Sequence, residues 1–170
     1  MERLRPLAPD VAWVGRDNFH LTLKFLGGVE AARLDAIGAA LMRAVGGGGP
    51  FEVALRGLGG FPSPTRPRVL WVGVEQGAAA MAALAGRVDA SLAHLGFEPE
   101  SRPFSAHVTL GRVRTPQRDR RLAEALGAGG AFGRQRVEHV SLMRSDLSPR
   151  GARYTELAAV PLTLEPASPP

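Results

Sequence analysis

Cysteine is absent from the 170 residues, which excludes several classes of protein. Disulfide scaffolds, zinc–thiolate sites, iron–sulfur clusters and thiol nucleophiles all need a Cys side chain. Apolar runs are also short, well below the roughly 20 residues that a membrane-spanning helix requires. The first five residues, Met-Glu-Arg-Leu-Arg, do not contain the apolar stretch of a secretory signal. We therefore expect a cytoplasmic protein without a transmembrane segment.

Lysine is nearly absent, since Lys24 is the only one among 21 Lys and Arg residues. The formal net charge is +5. Base composition of the coding DNA is the simplest explanation of the arginine bias. A planar guanidinium nevertheless suits phosphate groups, so an anionic partner is expected. The excess charge is too small to indicate nucleic-acid binding by itself.

The pattern of apolar residues predicts an α+β fold with more strands than helices. A loop with three prolines is predicted over 59–67. No linker divides the chain, so we treat 1–170 as a single domain. Strands are predicted over 11–14, 19–25, 51–58, 68–74, 104–113, 135–143 and 153–164, and helices over 30–45, 76–95 and 118–126.

The strongest functional signal is a tetrapeptide, His-x-Thr-Leu, that occurs twice, as 20–23 and 107–110. The chain has only four histidines and six threonines, so two chance copies are very improbable. In a strand, side chains two positions apart project from the same face. Each motif should therefore present one His and one Thr together, and the two halves of the chain should each contribute one strand to a shared cleft.

Two imidazoles at one site indicate general acid–base catalysis, because histidine can carry or release a proton near neutral pH. The hydroxyls of Thr22 and Thr109 can donate hydrogen bonds to an anionic oxygen between the two rings. The other histidines, His94 and His139, are expected at a helix end and on a strand face without a functional role.

The motifs and their surroundings resemble the 2H phosphoesterases, in particular the RNA 2′,3′-cyclic phosphodiesterases, which are also called 2′-5′ RNA ligase-like proteins. The resemblance implies a two-lobed, pseudo-symmetric fold with antiparallel sheets around a central cleft and helices outside. Family members usually begin with a strand and a helix that we expect to be absent ahead of residues 11–14. The matching segments are 18–27, 60–62, 71–74, 102–112, 142–145 and 151–154, in family order.

The resemblance also implies an activity, the metal-independent hydrolysis of RNA 2′,3′-cyclic phosphate ends to 2′-phosphates. By resemblance, His20 is the proton donor and His107 the proton acceptor, while Thr22 and Thr109 hold the nonbridging oxygens. The two histidines exchange roles in the reverse direction, 2′-5′ ligation. No cofactor and no metal ion are expected, since no acidic cluster flanks either histidine.

Three further residues are candidates for substrate binding: Lys24, Arg112 and Phe104. Lys24 shares the strand parity of His20, whereas Arg112 does so only if a bulge near Gly111 redirects it. Phe104 could stack on a base, although an aromatic beside a strand is more often part of the core. The arginines of the basic run at 112–121 form either a solvated face or a track for the RNA backbone. Ser145 and Tyr154 match family positions that border the cleft.

The expected partner is RNA, such as tRNA or oligonucleotide ends, or a nucleotide substrate, bound by a monomer. Two alternatives remain open at this point. The same chemistry could act on a small nucleotide such as a cyclic phosphate of ADP-ribose, or the chain could be an RNA- or nucleotide-binding module without turnover. The intact histidines and threonines argue against the binding module, because binding alone requires no proton carriers.

Overall fold

The computed structural model describes residues 4–148 and 151–164 and confirms the α+β class. Within the described residues, no helix has both the length and the apolar character needed to cross a membrane. The chain separates into two compact units, each assembled from three separate segments. The elements follow in the order β1 (Val11–Trp13), α1 (Leu34–Val45), β2 (Phe51–Phe61), β3 (Val69–Val74), α2 (Ala78–Ala93), β4 (His107–Val113), α3 (Arg120–Gly127), β5 (Ala131–Val137), β6 (His139–Ser148) and β7 (Gly151–Pro161).

The first unit comprises Met1–Thr22, Val53–Gln76 and Ala106–Gln135 and is organised around a five-stranded sheet. The strand order is β1-β4-β3-β2-β5, and β4 pairs antiparallel with both β1 and β3. Leu70 and Val72 alternate with Trp71 along β3, and the two aliphatic side chains join a buried cluster with Leu122 and Leu126 of α3. One face of this sheet is therefore core, while the opposite face carries Trp71.

The second unit comprises Leu23–Glu52, Gly77–Ser105 and Arg136–Pro170, and it contains α1, α2 and the β6–β7 hairpin. Its buried cluster includes Ile37 of α1, Leu84 of α2 and Val140 of β6. The two helices also share a hydrogen bond, from Nε of Arg87 to the carbonyl of Ala44 at 2.8 Å. Apolar residues at helical spacing in the sequence thus correspond to the buried faces of both helices.

Three predicted elements differ from the structure. The strand predicted over 19–25 was wrong, because only Leu21 makes a β-bridge and the segment enters the second unit after Thr22. The strand predicted over 135–143 is two strands that part at Glu138 and belong to different sheets. The loop predicted over 59–67 begins only at Pro62, since β2 stays paired with β3 as far as Phe61.

Candidate active site

The two His-x-Thr motifs lie side by side in the first unit. Leu21 forms an antiparallel β-bridge with Val108 of β4. Antiparallel register around this bridge places His20 opposite Thr109 and Thr22 opposite His107. His107 and Thr109 share one face of β4, and the bridge brings His20 and Thr22 beside them in the fold. The two motifs are therefore neighbours, and we call the side of β4 that carries His107 and Thr109, with the adjoining residues of the first motif, the site face.

Neighbouring strands add three aromatic and apolar residues to the site face. On β3, Trp71 pairs with Thr109 and Val69 pairs with Arg112. On β2, Phe61 pairs with Val69. These residues share the parity of His107 and Thr109, so they project to the same side of the sheet.

The His107 ring packs against aromatic side chains. Its centroid lies 5.1 Å from that of Phe61, with the two planes at 81°, an edge-to-face arrangement. Trp71 lies 6.3 Å from His107 and 5.2 Å from Phe61. Such aromatic contacts are attractive and directional, so they restrict the orientation of the imidazole.

The indole of Trp71 occupies space that glycine leaves open. A Cβ atom added to Gly59, its partner on β2, would overlap the indole ring. The Nε1 atom of Trp71 is buried and has no hydrogen-bond partner in the part of the chain that the structure describes. The indole thus presents an unused N–H donor beside the residues that hold His107.

The His20 ring is exposed and oriented by its own backbone. Its Nδ1 atom lies 2.8 Å from the carbonyl oxygen of Asn18. Because a carbonyl only accepts, this contact assigns the hydrogen to Nδ1 and makes Nε2 the acceptor nitrogen of the neutral ring. Protonation at Nε2 then gives an imidazolium that can act as an acid.

Arg112 lies on the site face because β4 contains a bulge. Leu70 pairs with Gly111 and the next residue, Trp71, pairs with Thr109, so Leu110 is the additional residue. Because of this extra residue, the side chain of Arg112 projects from the same side of the sheet as those of His107 and Thr109. The bulge was anticipated from Gly111, and the structure places the extra residue one position earlier.

Lys24 has a different environment from that of the four motif residues. Its ammonium group lies 2.5 Å from Oδ1 of Asp89 and donates to the carbonyl of Glu98 at 2.7 Å. Only 4% of the Lys24 side chain is exposed. We expected Lys24 to project from the same face of a strand as His20. The segment around it is not a strand, since only Leu21 makes a β-bridge, so this expectation does not apply. All three residues belong to the second unit.

The Lys24 ammonium lowers the pKa of the Asp89 carboxyl through their hydrogen bond. Partial burial opposes this effect, and the backbone N–H of Glu100, which donates to both Asp89 oxygens, reinforces it. The ion pair therefore joins the start of the second unit to α2 and to the segment that follows this helix.

The other predicted residues fall in the second unit. Phe104 is half-buried in the segment that precedes β4. Ser145 and Tyr154 face each other in the register of the β6–β7 hairpin. His94 caps the end of α2 and His139 begins β6, and both are exposed.

A metal site is not apparent in the described part of the chain. Across 4–148 and 151–164, no three His, Asp or Glu side chains are grouped so as to hold an ion. The site face instead offers two imidazoles, two hydroxyls and one guanidinium. This set can exchange protons with a substrate and hold an anion.

Sequence reasoning missed the roles of Phe61 and Trp71. Both stand in segments that carry the family resemblance, yet their contacts with His107 depend on which strands are neighbours. The sequence did contain a signal for the position of Trp71, because a large aromatic ring needs neighbours without side chains. Gly59 lies opposite Trp71 on β2, and Gly73 lies two residues further along β3.

Comparison with known protein families gives a match over residues 1–149 to the model of the 2′-5′ RNA ligase superfamily. Proteins named RNA 2′,3′-cyclic phosphodiesterase are similar to most of this chain. The one from Methanothermobacter thermautotrophicus is 37% identical over 158 residues, covering 92% of this chain and 85% of the relative. The one from Aeropyrum pernix is 38% identical over 146 residues, covering 85% and 82%.

Solved structures show the same fold. A protein from Thermus thermophilus superimposes with a TM-score of 0.78 at 30% identity, over 95% of this chain and 86% of that one. Escherichia coli LigT crystallised with 3′-AMP gives a TM-score of 0.74 at 27% identity, over 95% and 88%.

Proposed function

The chain belongs to the 2′-5′ RNA ligase superfamily and is a phosphodiesterase, and we propose that it opens RNA 2′,3′-cyclic phosphate ends to 2′-phosphates by two-histidine catalysis. The observation that carries the proposal is the bridge between Leu21 and Val108, because it aligns both His-x-Thr motifs on the site face. The names of the relatives support RNA ends as the substrate class.

In this mechanism a water molecule attacks phosphorus in line with the departing 3′ oxygen of ribose. His107 accepts the proton of the water as the new P–O bond forms. His20, as an imidazolium, donates its proton to the 3′ oxygen as the old P–O bond breaks. The product has a 2′-phosphate and a free 3′ hydroxyl. When an RNA 5′ hydroxyl replaces the water, the same two proton transfers form a 2′-5′ linkage, so ligation does not exchange the roles of the two histidines.

Thr22 and Thr109 donate hydrogen bonds to the nonbridging oxygens, which carry more charge in the transition state than in the ground state. Arg112 contacts the phosphate from the same face. Phe104 remains our candidate for stacking on a base. Lys24 acts as a positioning residue for the segment that follows the first motif, because its ammonium is engaged by Asp89 and Glu98.

The test is incubation with an RNA that ends in 2′,3′-cyclic phosphate, in excess EDTA, followed by identification of the phosphate position. We expect a 2′-phosphate product and no loss of rate in EDTA. A 3′-phosphate product would contradict the assignment of the leaving oxygen, and loss of activity in EDTA would contradict metal independence.

His20→Ala and His107→Ala should each reduce kcat by about 10²–10⁴-fold, because each removes one of two proton carriers. Each substitution should also remove one limb of a bell-shaped pH–rate profile. His94→Ala and His139→Ala are matched controls on exposed histidines and should leave both the rate and the profile unchanged. Retention of full activity in either motif variant contradicts the mechanism.

A further inference from the structure

The loop between β2 and β3 forms a shallow groove of about 310 Å³ in the first unit. It lies between this loop and the segment that leads from β4 to α3. None of its lining residues is acidic. They are Pro62, Ser63, Thr65, Arg66, Arg68, Pro116 and Arg118.

The arginines of this groove are not neutralised by carboxylates. Arg68 and Arg118 are exposed and have no ion-pair partner in the described part of the chain. Nε of Arg66 reaches only a backbone carbonyl, that of Pro116, at 3.4 Å. Arg120, by contrast, is paired with Glu124 at 2.9 Å.

Two hydroxyls complete the lining. Ser63 Oγ and Thr65 Oγ1 lie 3.1 Å apart, and the backbone N–H of Arg66 donates to Ser63 Oγ at 3.3 Å. Guanidinium groups and hydroxyls together are suited to phosphate oxygens, because both donate hydrogen bonds and the guanidinium also supplies charge. A neighbouring groove of about 510 Å³ includes Asp119 and Glu124 in its lining and is less suited to an anion.

The groove adjoins the site face in the same unit. The loop starts directly after Phe61, whose ring packs against His107. It returns at Val69, which pairs with Arg112. A strand of RNA with its reacting end at His107 can therefore continue past Arg112 towards the groove.

We propose that this groove binds a phosphodiester of the RNA backbone upstream of the cyclic phosphate end. The inference rests on the proposed function and identifies the feature that favours an oligonucleotide over a mononucleotide. A mononucleotide cyclic phosphate has only the reacting phosphate, so it does not use the groove.

The test compares an oligonucleotide ending in 2′,3′-cyclic phosphate with a mononucleotide 2′,3′-cyclic phosphate. Arg68→Gln and Arg118→Gln should each raise KM for the oligonucleotide about 10-fold, with kcat unchanged, because each removes a charge-assisted hydrogen bond to the backbone phosphate. Both parameters for the mononucleotide should stay at the wild-type value. Arg120→Gln removes the same charge from a paired arginine nearby and should alter neither substrate.

A second measurement requires no turnover. Fluorescence anisotropy of a labelled oligonucleotide with an ordinary 3′ hydroxyl end should show weaker binding by both groove variants. The slope of log affinity against log salt should fall by about 0.7 for each phosphate that is no longer neutralised, as for single strands. If Arg120→Gln weakens binding equally, net charge explains the effect and the inference is overturned.

These outcomes separate the two proposals. Absence of turnover on both substrates, with arginine-dependent binding retained, contradicts the proposed function and supports the groove. Turnover of both substrates with unchanged KM in Arg68→Gln and Arg118→Gln contradicts the groove and leaves the proposed function standing.

Discussion

At the scale of single residues, His107 depends on Phe61 for its orientation. The edge-to-face contact restricts the imidazole on the site face, where we propose that the substrate phosphate binds. Proton transfer requires hydrogen-bond distance and alignment, and a small misplacement of a catalytic group lowers the rate substantially.

We predict that Phe61→Ala reduces kcat about 10-fold to 100-fold with a smaller change in KM. The physical reason is that the His107 ring gains rotational freedom although the chemistry of the ring is intact. Steady-state kinetics on a cyclic-phosphate substrate measures both parameters. Phe132→Ala, on an exposed phenylalanine of β5, is the control and should leave kcat unchanged. An unchanged kcat in Phe61→Ala would exclude this role.

The Lys24–Asp89 pair gives a second prediction at this scale, on stability rather than catalysis. The pKa of Asp89 is lowered on folding, so the carboxylate stabilises the folded state above the pKa of the unfolded chain. This stabilisation is lost as the pH falls through the lower, folded-state pKa.

Asp89→Asn should therefore reduce the free energy of unfolding at pH 7 by about 2–4 kcal/mol, since it leaves the buried ammonium without a countercharge. The difference from wild type should shrink in acid, below the ordinary pKa range of aspartate. Urea titrations at a series of pH values measure it. Asp146→Asn breaks an exposed pair with Arg144 and should change stability by less than about 1 kcal/mol. A difference that stays constant with pH would be inconsistent with this account.

At the scale of elements, the bulge in β4 determines which residues reach the site face. Gly111 lies against β1 where the strands approach closely. A Cβ atom added there would lie 2.5 Å from Cγ1 of Val11 and 3.0 Å from the carbonyl oxygen of Ala12. The close approach needs glycine, and it fixes the position of the residue that follows, Arg112.

We predict that Gly111→Ala destabilises the protein by about 1–3 kcal/mol through overpacking between β1 and β4. Gly86→Ala is the matched control, because a Cβ at this position in α2 meets nothing within 4 Å. It should stabilise by about 0.5–1 kcal/mol, as expected for replacing glycine inside a helix. Chemical denaturation of both variants provides the comparison, and equal effects would show that the close approach in β4 has no energetic consequence.

At the scale of the whole molecule, each unit is assembled from three segments that alternate along the chain. Neither unit is a continuous stretch, so each closes its core only after the intervening segments have formed loops or structure of their own. This arrangement favours a single cooperative unfolding transition.

Two probes can test this, because they report on different units. Both tryptophans, Trp13 and Trp71, belong to the first unit, whereas the two longest helices, α1 and α2, belong to the second. We predict that tryptophan fluorescence and far-ultraviolet circular dichroism give the same midpoint in urea. Separate midpoints would show that the units unfold independently.

Leu70→Ala and Leu84→Ala, one in each core, should each lower this common midpoint, because each reduces the free energy of unfolding by about 2–5 kcal/mol.

Local patterns in the sequence determined much of this protein. Apolar spacing predicted the buried faces of α1 and α2, because side chains that recur every three to four residues must share one side of a helix. The continuous apolar run over 69–74 located β3. The repeated His-x-Thr-Leu tetrapeptide identified the four residues that the site face brings together, since its spacing needs no knowledge of the partner strand.

Only the tertiary structure decided what depends on contacts between distant segments. The alternation over 19–25 favoured a strand, but Leu21 alone has a partner, and Lys24 binds a carboxylate 65 positions away. The orientation of Arg112 follows from the bulge in the pairing of β4 with β3, and the packing of Phe61 on His107 follows from strand order. A short sequence pattern predicts which face of a helix or strand is buried. Which strands are neighbours, in which register they pair and which ion pairs form depend on the free energy of the complete fold.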